Sequence, residues 1–133
     1  AAFSFQKGLG AVHSLAHQLS TAASIPHGVA NAILLPYVME FNLPAIVDSY
    51  AEIAAALGVD ISGMTKDEAA NAAIDGVRSL NKELGMPAGL GAAGLARECI
   101  GELAKDAMLD HCHKFNPRPC TEEDMQRLFE AAF

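Results

Sequence analysis

A chain of 133 residues is long enough for one domain with its own hydrophobic core, and 51% hydrophobic against 19% charged residues argues for a folded protein. A formal net charge of -7, with nine Lys and Arg scattered along the chain, excludes a phosphate-tracking nucleic-acid surface. The apolar run from Ala30 to Met39 is interrupted by Asn31 and Pro36 and falls short of the roughly 18 to 20 residues a membrane helix needs, so neither nucleic acid nor membrane is expected as a partner.

The segments recur at three and four residues rather than alternating, which predicts an all-α, bundle-like domain over 1–133 without repeats or linkers. The opening Ala1-Ala2-Phe3-Ser4-Phe5 has neither Met nor a capping residue and reads as a longer chain entered in mid-element. A first helix is expected from about Phe3 to Leu19, followed by a break at Ser20 to Ser24, with Ser24 as the N-cap of the next helix and Pro26 in its first turn. That helix, from about His27 to Glu40, carries Pro36, which should kink it or end it early. Pro44 then begins a helix that stops at Gly58. Thr65 and Glu68 form a capping box for a helix running to Leu84 with Gly85 as its stop, and Leu80 and Leu84 read as core positions on it. A loop to about Gly94, a helix from Leu95 to Leu109, and a last helix opened by Thr121 and Asp124 complete the chain.

His13 and His17 stand four apart, so on a helix they project from one face about 6 Å apart and are a possible metal pair. His27 would lie about 21 Å away on a continuous helix and joins them only if the chain turns back at Ser20 to Pro26. Imidazole suits Zn, Fe, Ni and Cu alike, and no Asp or Glu lies beside these histidines, so any carboxylate must come from elsewhere. Gly89-Leu90-Gly91-Ala92-Ala93-Gly94 matches G-x-G-x-x-G, but without a preceding strand these glycines read as turn residues. His111-Cys112-His113 with Cys120 matches no compact zinc spacing. Cys99, Cys112 and Cys120, odd in number and without CxxC spacing, fit reduced thiols in a cytoplasmic protein. Glu122, Glu123 and Asp124 sit where they complement a helix N-terminus.

Gly8-Leu9-Gly10-Ala11-Val12-His13-Ser14-Leu15-Ala16-His17 followed by Ile25-Pro26-His27-Gly28-Val29-Ala30-Asn31-Ala32-Ile33-Leu34-Leu35-Pro36 resembles the iron-containing (group III) alcohol dehydrogenases. The likeness continues through Tyr50-Ala51-Glu52-Ile53-Ala54, Gly85-Met86-Pro87, Cys112 and Asn116-Pro117-Arg118-Pro119, so it covers essentially the whole chain. It departs at Gln18, where Pro is common, at Ser20, where Gly is common, and at Tyr37, where many relatives have His.

The resemblance implies a dehydroquinate synthase-like α-domain, the C-terminal part of an enzyme whose upstream α/β domain binds most of NAD or NADP. It further implies Fe(2+), sometimes replaced by zinc, held by His13 and His27 together with an Asp and a His from an earlier helix absent from this sequence. His17 then lies beside the metal, near nicotinamide and substrate, and Cys112 stands near the cleft. The implied activity of the full-length parent, a homo-oligomer, is interconversion of a primary alcohol and its aldehyde by hydride transfer, with residues 1–133 alone inactive. The competing reading is a noncatalytic helical binding or assembly module whose histidines retain weak metal affinity.

Overall fold

The structure is a computed structural model that describes residues 8–133, among which every regular element is helical. Five α-helices follow in order: α1 (Ala11–Ala23), α2 (His27–Ala56), α3 (Lys66–Glu83), α4 (Ile100–Leu109) and α5 (Glu122–Ala131). Short 3-10 turns at Arg97–Cys99 and His111–Phe115 flank α4. The Phe3 to Lys7 part of the expected first helix lies outside the described residues, and Gly8 to Gly10 are not helical: the helix begins at Ala11, with Gly10 as its extended N-cap.

Two apolar cores share α2 as their common wall. The larger joins Leu15 and Leu19 of α1, Ile33, Leu34 and Val38 of α2, Ile100 and Leu103 of α4, and Met125 and Phe129 of α5. The smaller joins Met39, Tyr50 and Ala54 of α2 to Ala70, Ala73 and Ile74 of α3. By length and composition α2, 30 residues long with an 18-residue stretch of mean hydropathy 1.3, would pass for a membrane span, but its apolar residues feed both cores.

Helix α1 continues to Ala23, and Ser24, instead of opening the next helix, closes this one in the left-handed conformation (φ 52°) with Pro26 as the N-cap of α2. Pro36 neither ends nor visibly breaks α2. A proline has no N–H for the carbonyl four residues back, here Ala32, and Asn81 Nδ2 of α3 donates to that carbonyl at 2.6 Å. The break falls instead at Ile46 (φ -143°, ψ 35°), two residues after Pro44, which itself lies within the helix. The expected helix from Leu95 begins at Ile100, after the 3-10 turn. Leu80 and Leu84 are not core: they are 45% and 62% exposed, because α3 turns Ala69, Ala70, Ala73 and Ile74 inward.

The remaining signals stand as expected. Gly58 (φ 85°) and Gly85 (φ 67°) terminate α2 and α3, and both capping boxes form, Thr65 with Glu68 and Thr121 with Asp124. The glycine-rich loop is a turn, and the reason for two of its glycines is tertiary. A Cβ on Gly89 would stand 2.6 Å from the Phe133 carbonyl oxygen, and one on Gly91 2.8 Å from the Phe133 ring. Leu90 N–H donates to the Ala132 carbonyl at 2.8 Å, so the loop clasps Ala132 and Phe133.

Candidate functional site

Ser24 and Pro26 reverse the chain between α1 and α2, which returns His27 to the face of α1 that carries His13 and His17. The three imidazoles form a near-equilateral triangle. Ring centroids are 5.8 Å apart for His13 and His17, 5.3 Å for His13 and His27, and 5.4 Å for His17 and His27. Burial and the neighbouring His27 and His17 push His13 below the ordinary histidine value, against an opposing pull from Asp110. That direction favours the neutral imidazole, the form in which histidine binds metal ions.

The carboxylate that the local sequence lacks arrives from the far end of the chain. Asp110, the N-cap of the second 3-10 turn, places Oδ2 2.7 Å from His17 Nδ1. Its Oδ1 accepts from the Cys112 N–H at 2.7 Å and from the Ser14 hydroxyl at 3.3 Å, and Ser14 Oγ in turn accepts from the His113 N–H at 2.8 Å. Burial pushes the Asp110 carboxyl up, but the hydrogen bonds from His17 and Cys112 outweigh it and hold the group well below the usual carboxylate range. The side-chain ligand atoms of His17, Asp110 and Cys112 lie within 4.8 Å of one another.

Cys112 is buried at 2% exposure, and its thiol is pushed up to about 11 by burial and by the hydrogen bond and charge of Asp110, so it stands as a thiol at neutral pH. The other residues of that motif disperse. His111 is 79% exposed at its side chain, His113 pairs with the Met108 carbonyl, and Cys120 lies against Arg118 and Asn116. A cleft of about 750 Å³ opens beside His13, lined by Asn31, Leu35, Ile53, Leu80 and Asn81 among others.

Residues 1–133 match the family described as "Fe-containing alcohol dehydrogenase family, C-terminal". The chain belongs to the iron-containing alcohol dehydrogenase family. It is 44% identical to the lactaldehyde reductase of Escherichia coli (strain K12), covering 95% of this chain and 33% of that protein. It is 38% identical to the NAD-dependent methanol dehydrogenase of Bacillus methanolicus, covering 94% and 33%. Among solved structures, a 1,3-propanediol oxidoreductase superposes with a TM-score of 0.91 at 38% identity, and an alcohol dehydrogenase from Oenococcus oeni with 0.90 at 36%. Each comparison covers 94% of this chain and 33% of the other. The chain therefore spans about a third of these iron-containing alcohol dehydrogenases, and its all-helical fold is that of their C-terminal part.

The donor set suits the ion in the family's name. Imidazole nitrogens bind first-row divalent ions readily, and three rings with centroids 5.3 to 5.8 Å apart differ from histidines dispersed through a core. His27 Nε2 lies 2.9 Å from the Asn31 amide nitrogen, while the buried Asn31 Oδ1 has no partner among the described residues, so these polar groups are not fully satisfied among themselves.

Proposed function

We propose that this chain is the metal-binding part of a nicotinamide-dependent alcohol dehydrogenase that interconverts a small primary alcohol and its aldehyde. The observation that carries this reading is the triangle of His13, His17 and His27, built across a chain reversal in a member of this family. His13 and His27 would hold an iron ion, or zinc in its place, with further ligands from residues outside this sequence. When bound, the ion supplies a Lewis acid at the substrate oxygen, and the nicotinamide, NAD or NADP, supplies the hydride acceptor.

The chain's own residues then have separate tasks. His13 and His27 bind. His17, its Nδ1–H donated to Asp110, presents Nε2 as the base that takes the hydroxyl proton on oxidation and returns it on reduction. For each alcohol oxidised, one hydride leaves carbon for the nicotinamide and one proton leaves oxygen, so aldehyde, reduced nicotinamide and a proton balance the equation. The buried Cys112 thiol borders this proton path without supplying a charge. Cytoplasmic residence and homo-oligomeric assembly of the full-length protein accompany this reading.

The test is to assay the full-length protein with a series of small primary alcohols and diols, in parallel with residues 1–133 alone. Nicotinamide reduction is expected only from the full-length protein. Calorimetric titration of residues 1–133 with NADH should give no binding, since their one glycine motif clasps the C-terminus. Absence of alcohol-dependent reduction by the metal-loaded full-length protein would overturn the reading.

A further inference from the structure

We propose that Asp110 is a positioning residue for His17, holding the imidazole in the tautomer whose proton sits on Nδ1 and whose Nε2 is free to accept a proton. This rests on the dehydrogenase reading above and adds to it a residue 93 positions away in sequence. A carboxylate can only accept, so the 2.7 Å contact between Asp110 Oδ2 and His17 Nδ1 requires the proton to be on Nδ1. In a neutral imidazole the remaining nitrogen is then the base.

What makes this more than a chance surface pair is the anchoring of the carboxylate. The Asp110 side chain is 16% exposed, against 39% for His17. Its second oxygen is fixed by the backbone N–H of Cys112 at 2.7 Å and by the hydroxyl of Ser14, which is fully buried. Ser14 sits on α1 between His13 and His17 and is itself fixed by the His113 N–H at 2.8 Å. The carboxylate is thus tied both to the 3-10 turn and to the helix that bears the imidazole, and its free rotation is lost. An exposed ion pair has no such tether and wanders among side-chain rotamers. The arrangement is that of an orienting carboxylate behind a general base, built here from an Asp at a turn N-cap.

The experiment uses the full-length protein loaded with zinc, which is diamagnetic, with isotopically labelled imidazole nitrogens. The His17 signals are identified by their loss in His17→Gln. The wild type is expected to show a protonated Nδ1 and an unprotonated Nε2. Asp110→Asn should lose that preference and lower kcat by about tenfold or more, with KM and metal content little changed, and Asp110→Glu should recover part of the loss. A wild-type His17 protonated on Nε2 would overturn the proposal without any variant. So would an Asp110→Asn protein that kept both tautomer and kcat. Loss of metal in both Asp110→Asn and His17→Gln would also overturn it, by making His17 a ligand with Asp110 behind it. If the tautomer appeared as expected but the wild type oxidised no alcohol, the dehydrogenase reading would fail and the Asp110–His17 pair would stand.

Discussion

One amide, that of Asn116, ties three segments together. Its Oδ1 accepts from the Ala11 N–H at 3.2 Å and from Asn42 Nδ2 at 3.1 Å, while its Nδ2 donates to Asn42 Oδ1 at 2.6 Å and to the Arg118 carbonyl at 2.7 Å. Helix α1 has no side-chain cap of its own at Gly10, so this distant residue satisfies one of its first N–H groups. Asn116→Ala should destabilise the fold by about 1 to 3 kcal/mol, because Asn42, 5% exposed, would keep its polar atoms without their partner. Equilibrium urea unfolding measures it, and an unchanged midpoint would show the amide pair to be dispensable. Asn116 was visible in the sequence only as part of a family motif, and nothing local announced its partner on α2. Asp110 is the same case. The i, i+4 spacing of His13 and His17 and the turn before His27 are local and legible, whereas a carboxylate 93 residues on is joined to His17 by tertiary packing alone.

At the scale of the elements, local chemistry was legible wherever both partners sit within one turn, as in the two capping boxes and the glycine stops at Gly58 and Gly85. It misled at Pro36, where Asn81 of another helix repairs the ladder, and at Ser24, where a favoured N-cap residue takes a left-handed helix stop. It misled again on α3, whose small residues face inward while Leu80 and Leu84 do not. Two predictions belong here. Leu34→Ala, at a fully buried position in the larger core, should cost about 2 to 5 kcal/mol, and Leu84→Ala less than about 0.5 kcal/mol. Comparable losses in thermal or urea unfolding would contradict the core as described. The second concerns the cap of α5. Burial raises the Asp124 carboxyl, but hydrogen bonds from the Thr121 N–H and hydroxyl outweigh it and lower the group below the ordinary value. A depressed folded value means stability that is present above the unfolded pKa of about 3.9 and is lost as pH falls through the folded one. Asp124→Ala should therefore cost about 1 kcal/mol near neutrality and progressively less below about pH 4. A cost independent of pH in acid unfolding would show that ionisation is not what strengthens the cap.

Over the described residues, two cores share one long helix, and α1 and the first residue of α2 carry the three imidazoles, with a cleft of about 750 Å³ opening beside His13. Helix spacing alone selects His13 and His17 as a ligand pair, whereas the family reading selects His13 and His27 and gives His17 the proton. The structure places all three rings within 5.3 to 5.8 Å of one another, so distance does not separate the two assignments, but the hydrogen bond from His17 to Asp110 sets His17 apart from the other two. Metal analysis of two purified full-length variants tests this directly. His27→Ala should lose stable iron or zinc, and His17→Ala should retain metal close to the wild-type content while turnover falls. Retention of metal by His27→Ala and its loss from His17→Ala would contradict the account and restore the i, i+4 pair as the ligands.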